Sequence, residues 1–138
     1  MNIKEGVQQF IDWSKRKIFH HFNDRAKAFY FRENEVWWVA LGKNVGYEID
    51  GKHELFERPV LVLKKYSKDM CFILPLTTQI KVPLPWYQIV IIMGEKLSAI
   101  NITQGKTISS RRFLRKAGTL ALEEFAAVKL AFINQFNE

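Results

Sequence analysis

The stretch Glu35-Val-Trp-Trp-Val-Ala-Leu41 decides how the rest of the chain is interpreted, because its last six residues are all apolar. Six residues are too few for an ordinary helix, and valine and tryptophan are enriched in strands. A strand whose apolar residues do not alternate with polar ones is typical of a sheet that is covered on both faces. The segment therefore predicts a buried β-strand.

Further short apolar segments predict a fold that is mainly β. Arg58-Pro59 opens the second strand, since proline is tolerated at the first residue of a strand. The expected strands after Leu41 are 60–63, 70–76, 86–93 and 97–102. Several short strands at regular spacing indicate a small antiparallel barrel or a sandwich, and closure of a barrel removes exposed sheet edges. The long loop 42–57 has a length that usually marks a functional segment.

Helices are expected at both ends of the chain. Ile3 to about His21 has apolar residues (Ile3, Val7, Phe10, Ile11 and Ile18) at a period near 3.6, and we expect this face to pack on the barrel and hide apolar strand faces. The last helix is expected over Leu122–Phe136, with one apolar face made of Leu122, Phe125, Ala126, Phe132, Ile133 and Phe136. A short helix capped by Ser109 or Ser110 is expected in the basic run 106–116. We divide the chain into an N-terminal helical extension, 1–32, and a barrel domain with its C-terminal helix, 33–138.

Composition and charge exclude several classes of protein. The 138 residues carry a net charge of +7, which suggests a polyanion or an acidic protein as partner. The single cysteine excludes an intramolecular disulfide and a cysteine-cluster zinc site, and the three histidines have no metal-ligand spacing, so we expect no metal and no cofactor. No apolar run approaches the ~20 residues that cross a bilayer, so we expect a cytoplasmic protein with no membrane partner.

Taken in order, these segments resemble the PemK/MazF family of bacterial toxins. The resemblance covers about residues 33–118 and rests on the Trp37-Trp38 strand, Gly46-Tyr-Glu48 with Gly51, Arg58-Pro-Val-Leu-Val-Leu63, Pro75-Leu-Thr-Thr78 and Gln104. It implies a small SH3-like antiparallel barrel with N-terminal and C-terminal helices, a homodimer, and a cognate antitoxin. It also implies a metal-independent endoribonuclease that cleaves single-stranded RNA, in which a ribose 2′-OH attacks the adjacent phosphate.

The resemblance assigns roles to individual residues. Arg58 matches the catalytic arginine, and its guanidinium suits the charge on a phosphorane. The hydroxyl of Thr77 would hold a phosphate oxygen, and Glu48 matches the loop glutamate and is the candidate base. The expected RNA-binding residues are Gln104, Lys106, Thr78, Tyr47, Arg111 and Arg112.

Departures from the family pattern keep a second hypothesis open. Asn101 and Thr103 stand where certain members carry Arg and Asp, and Ser109 replaces a usual acid. The alternative function is therefore a non-catalytic module on the same barrel that binds nucleic acid or an acidic peptide. For the N-terminal helix, the alternative to packing is that it lengthens the RNA groove or the dimer contact.

Overall fold

The computed structural model describes residues 2–23, 29–80 and 88–137. The start of the strand expected at 86–93 lies outside this range. The elements in chain order are α1 (Ile3–Phe22), β1 (Glu35–Ala40), β2 (Glu57–Lys65), β3 (Met70–Thr77), β4 (Gln88–Met93), β5 (Lys96–Asn101), β6 (Lys106–Ser109), a 3-10 turn (Ser110–Arg112), β7 (Phe113–Thr119) and α2 (Leu122–Asn134).

In the described part of the chain, seven strands form one antiparallel sheet in the order β4-β5-β3-β2-β1-β7, and β6 pairs with β3 outside this order. The first part of β3, Met70–Ile73, pairs with β6, whereas its end at Leu76 and Thr77 pairs with β5. One long strand therefore serves two partners in succession, and the sheet forms a half-barrel with a helix at each end of the chain. The predicted fold class, mainly β with flanking helices, is confirmed.

The sheet has an apolar core on each face, as the unbroken apolar sequence of β1 predicts. Trp37 and Val39 enter one cluster of buried side chains, and Val36 enters a second cluster on the other face. Val128 of α2 is fully buried in that second cluster. Cys71, the only cysteine, lies in the first cluster, where burial raises the pKa of its thiol to about 12. This thiol is a core side chain with little nucleophilic character.

The proline of β2 lies inside its strand and not at its start. Pairing with β1 already begins at Glu57, which lies opposite Ala40, so Pro59 is the third residue of β2. Pairing of β2 with β3 begins only at Val60, opposite Pro75. Pro59 therefore lies where β2 has a strand on one side only, which is a position that tolerates the missing N–H.

The basic run 106–116 is mostly strand, and the expected helix is confined to one 3-10 turn. Ser109 does cap that turn, because its hydroxyl accepts the N–H of Arg111 at 3.1 Å. The residues before and after it form β6 and β7, which pair with β3 and β1. Tertiary strand pairing thus overrides the local pattern.

The expected packing face of α1 is wrong. Ile3, Val7 and Ile18 are more than half exposed, and the buried side chains of the helix are Trp13 and His20. Trp13 packs on Gly42, where a Cβ atom would lie only 2.3 Å from the indole ring. The close approach of one indole to a glycine, which also has a φ of +93°, fixes the contact face, and the longer apolar stripe remains on the surface.

The expected apolar face of α2 is also partly wrong. Phe125 and Phe132 pack against the core beside Val128 as half-buried side chains. Leu122 and Ile133, which the periodicity places inward, are exposed, because the helix is apolar around most of its circumference. Among the described residues, neither helix combines the length and the hydropathy that a bilayer crossing needs.

Candidate active site

Arg58, at the start of β2, is a buried cation held by two backbone carbonyls. Its side chain is 8% exposed, its Nε donates to the carbonyl of Asp50 at 2.5 Å, and its Nη1 donates to that of Leu76 at 3.1 Å. Burial lowers the pKa of the guanidinium and the nearby Asp50 charge opposes this, but an arginine stays protonated near neutral pH. In the described part of the chain no carboxylate forms an ion pair with it. The site therefore favours an anionic ligand.

Thr77 lies beside Arg58 at the end of β3. It follows Leu76, whose carbonyl binds Arg58, and the two side chains line the same two cavities, of about 160 and 210 Å³. The Oγ1 of Thr77 accepts the N–H of Gln79 at 3.1 Å, which leaves its own hydrogen for an anion. Thr78 lines the larger cavity. The structure thus brings Arg58, Thr77 and Thr78 together.

The loop between β1 and β2 forms one wall of the site and is held by Gln104. The side-chain oxygen of Gln104 accepts the N–H of Ile49 at 3.2 Å, and its amide donates to the carbonyl of Tyr47 at 3.0 Å. The loop is closed at Gly51, where a Cβ would lie 1.6 Å from the carbonyl oxygen of Phe56. Gln104 therefore positions the loop that presents the Asp50 carbonyl to Arg58.

Tyr47 and Glu48, the two candidate residues of this loop, differ in whether they line the Arg58 cavities. The side chain of Tyr47 is fully exposed and lines the smaller cavity with Arg58. Glu48 is exposed, its carboxylate accepts the N–H of Val45 at 3.2 Å, and it is not among the described residues that line either cavity. The structure therefore does not bring Glu48 into contact with the Arg58–Thr77 pair.

The remaining basic candidates lie farther along the surface. Lys106 is half-buried, and burial together with the charges of Arg112 and Lys17 lowers the pKa of its ammonium, while Glu48 acts in the opposite direction. Arg111 and Arg112 line a separate cavity against α1. The structure does not bring these two arginines into the Arg58 cavities.

The structure adds site residues that sequence reasoning missed. Gln88 and Asn101 are cross-strand partners in β4 and β5, and the amide of Gln88 donates to Asn101 Oδ1 at 2.9 Å beside Arg58. A polar residue at the end of an apolar strand was the signal that could have found them. His53, in the left-handed region with a φ of 64°, lines the larger cavity with Trp38. Asp50 contributes through its backbone carbonyl, which no side-chain pattern reveals.

No metal site is visible in the part of the chain that the structure describes. Across residues 2–23, 29–80 and 88–137, no three His, Cys, Asp or Glu side chains are grouped so that they could hold a metal ion. The charged residues that line the two cavities are Arg58, Lys52 and Glu57, and the carboxylate of Glu57 is paired with Arg115 at 2.8 Å.

Comparison with solved structures shows a shared fold. MazF from Deinococcus radiodurans has a TM-score of 0.63 at 15% identity, covering 80% of this chain and 99% of that one. A structure described as an endoribonuclease in complex with its cognate antitoxin, from a mycobacterial species, has a TM-score of 0.58 at 12% identity, covering 78% and 96%. The toxin MazF-mt6 of Mycobacterium tuberculosis has a TM-score of 0.55 at 17% identity, covering 75% and 96%. No curated protein matches the sequence.

The sequence also matches a family profile, described as the PemK-like, MazF-like toxin of a type II toxin–antitoxin system, over residues 32–136. The match includes every strand of the half-barrel and α2, whereas α1 lies outside it. The resemblance read from the strand motifs is thereby confirmed. Because the profile spans most of its length, the chain belongs to the family of PemK-like, MazF-like toxins of type II toxin–antitoxin systems.

Proposed function

We propose that this protein is a toxin endoribonuclease that cleaves single-stranded RNA at the Arg58–Thr77 cavities without a metal ion. The observation that carries the proposal is the charge of Arg58, which is buried, fixed by two carbonyls and without an ion pair in the described part of the chain. A phosphodiester supplies the missing anion. The similar mycobacterial structure described as an endoribonuclease supports the same activity.

The proposed reaction forms a bond between the ribose 2′-oxygen and phosphorus and breaks the bond from phosphorus to the 5′-oxygen. A base takes the 2′-OH proton, an acid returns a proton to the departing 5′-oxygen, and the products are a 2′,3′-cyclic phosphate and a 5′-OH. Negative charge grows on the non-bridging oxygens at the crowded phosphorus. Arg58, already held in place, stabilises that charge without reorganising, and Thr77 donates a hydrogen bond to one of the same oxygens.

We assign the base to Glu48 and name His53 as its competitor. Glu48 matches the family pattern, but it must first release the N–H of Val45 to reach the RNA. His53 already lines the cavity that Arg58 and Thr77 share. The variants Glu48→Gln and His53→Gln decide between them, because loss of a general base lowers the rate by about 10²–10⁴. If neither change lowers the rate, both assignments are wrong.

The remaining predicted residues are proposed to hold the RNA around the cleaved bond. The exposed ring of Tyr47 is suited to stack on a base, and Thr78 offers a hydroxyl in the larger cavity. Lys106 provides a cation next to the loop that Gln104 holds. The net charge of +7 attracts the RNA backbone as a whole.

The test is RNA digestion in EDTA with identification of the product ends. The expected result is cleavage that leaves cyclic phosphates and 5′-hydroxyls, and a loss of about 10²–10³ in rate for Arg58→Lys, which keeps the charge but not the planar fork. The matched control is Lys52→Arg, an exposed cation that lines the same cavities and makes no hydrogen bond to Arg58. Intact RNA, or equal rates for the parent and Arg58→Lys, would contradict the proposal.

The second candidate function is a non-catalytic binding module. Two observations favour it. The Glu48 carboxylate accepts the N–H of Val45 and is not among the described residues that line the Arg58 cavities. The smaller cavity holds the neutral side chains Gln88 and Asn101 and, in the described part of the chain, no carboxylate. The same digestion distinguishes the two functions. Salt-dependent RNA binding with no new ends supports the module.

The proposed partners are a cognate antitoxin and a second copy of the chain, both in the cytoplasm. For the homodimer, β4 is the end strand of the sheet order, and Val90, Ile92 and Leu97 on β4 and β5 are about half exposed or more. An apolar face on an end strand is suited to pair with the same face of a second copy. Sedimentation should give a dimer that Ile92→Lys converts to a monomer, and a monomeric parent protein would exclude this interface.

A further inference from the structure

A second basic cavity lies between α1 and the 3-10 turn, outside the site described above. It has a volume of about 150 Å³, and its lining includes Lys17, Arg111, Arg112, Trp13 and Ser109. No carboxylate is among the described residues that line it. We call it the helix–turn cavity. Three cations around one small volume repel one another unless an anion lies between them.

Arg112 is the fixed cation of the helix–turn cavity. Its Nη1 donates to the carbonyls of Ala40 at 3.0 Å and Leu41 at 3.3 Å, and its guanidinium lies 5.6 Å from the ring centroid of Trp13. Both hydrogen-bond partners are neutral, so the charge is held but not neutralised. Among the described residues these bonds use Nη1 alone, which leaves the N–H groups of Nε and Nη2 for a ligand.

The two other cations come from different elements and face the same volume. Arg111 is anchored by a hydrogen bond from its Nη1 to the carbonyl of His21, which ties the end of α1 to the 3-10 turn. Lys17 is exposed, lies about one turn before His21, and forms no ion pair within residues 2–23, 29–80 and 88–137. The cavity thus exists only because α1 is present.

Lys106 lies close to residues of both the helix–turn cavity and the active-site loop. Burial and the charges of Arg112 and Lys17 lower the pKa of the Lys106 ammonium, and the charge of Glu48 acts in the opposite direction. The strand β6, which runs from Lys106 to Ser109, spans only ~10 Å. A basic path therefore leads from the active-site loop to the helix–turn cavity.

We propose that the helix–turn cavity binds a backbone phosphate of the RNA, at a distance from the phosphate that is cleaved. This inference rests on the proposed function in that RNA is the ligand. A phosphate fits because guanidinium groups bind its oxygens in pairs, and because the basic path aligns the cavity with the strand that enters or leaves the active site. The helix α1 then lengthens the RNA groove.

The test measures the affinity for RNA in which every ribose carries a 2′-O-methyl group, so that it cannot be cleaved. Two lengths are compared, a short oligonucleotide that fills only the Arg58 cavities and a longer one that also reaches α1. The test variant is Lys17→Ala, because Lys17 is exposed and its removal does not disturb the core. The matched control is Lys4→Ala, the same change of charge about 20 Å away on the same helix.

For the longer RNA, Lys17→Ala should weaken binding and reduce the slope of log K against log salt by about 0.7, the value for one phosphate contact on a single strand. Lys4→Ala should leave both quantities unchanged, and neither variant should alter binding of the short RNA. Equal slopes for the parent and Lys17→Ala, or an equal loss with Lys4→Ala, would overturn the proposal. So would equal binding of the longer RNA by the parent and Lys17→Ala together with weaker binding of inorganic phosphate by Lys17→Ala, since the cavity would then select free phosphate.

The outcome is independent of cleavage because the RNA is inert. A protein that cleaves normal RNA but shows no slope change for Lys17→Ala retains the proposed function and lacks the phosphate site. A protein that shows the slope change and cleaves nothing has the phosphate site and is a binding module.

Discussion

Gln104 makes two hydrogen bonds to the active-site loop, and we therefore predict that it contributes to stability as well as to activity. Gln104→Leu removes both bonds, to the Ile49 N–H and the Tyr47 carbonyl. At about 0.5–1.5 kcal/mol for each bond, the free energy of unfolding should fall by about 1–3 kcal/mol. With a urea m-value of about 2 kcal/mol/M, the midpoint of urea unfolding should fall by about 0.5–1.5 M with an unchanged slope.

The control for this prediction is Gln104→Glu, which keeps the acceptor for Ile49 and loses the donor for Tyr47. Its midpoint should lie between those of the parent and Gln104→Leu, and the cleavage rates should follow the same order, because a displaced loop also displaces the Asp50 carbonyl that holds Arg58. If Gln104 acts only by touching RNA, Gln104→Leu will weaken RNA binding and leave the urea midpoint unchanged. That result would refute the positioning role.

Three further predictions concern the fold. Trp13→Ala should lower the free energy of unfolding by about 3–5 kcal/mol, because it removes the contact of α1 with the barrel. Ile18→Ala, on the exposed stripe, should change it by less than about 0.5 kcal/mol, and urea unfolding of the two variants checks this. Burial would raise the pKa of Glu35, but its hydrogen bonds outweigh burial and lower the pKa below 4.5. The ionised Glu35 carboxylate therefore stabilises the fold above that pH, and this stabilisation is lost as the pH falls. The difference in free energy of unfolding between the parent and Glu35→Gln should accordingly become smaller in acid. Gly51→Ala should prevent folding, as judged by circular dichroism, because its Cβ would overlap the backbone of Phe56. Gly46→Ala, in open space at a φ of +58°, should lower the free energy of unfolding by only about 1 kcal/mol.

The central strands could be predicted from short-range sequence patterns, whereas Arg58 and Thr77 were singled out by the resemblance to the toxin family. A strand whose residues are all apolar has to be covered on both faces of the sheet, and β1 is covered in this way. The two motifs that carry Arg58 and Thr77 lie on strands that pair with each other, β2 and β3, so their polar ends meet. Local patterns were enough wherever the contact follows from strand pairing between neighbours in the chain.

The rest depended on contacts that no local pattern specifies. The face of α1 is set by one indole that fits against Gly42, and not by the longest apolar stripe. The strands β6 and β7 form because β3 and β1 have free edges for them, although their own residues are basic. The partner of Arg58 in the loop is a backbone carbonyl, which every residue type could provide. The local spacing of side chains along the sequence carried no information about these contacts.

The buried Cys71 has a practical consequence for measuring motion in this molecule. A thiol with a pKa of about 12, closed off from solvent in the core, does not react with maleimide dyes in the folded protein. A cysteine engineered at an exposed position such as Lys4 or Tyr47 would then be the sole attachment point, with the native thiol left in place. Fluorophores could follow how α1 and the active-site loop move relative to a labelled RNA, with no background from the wild-type sequence.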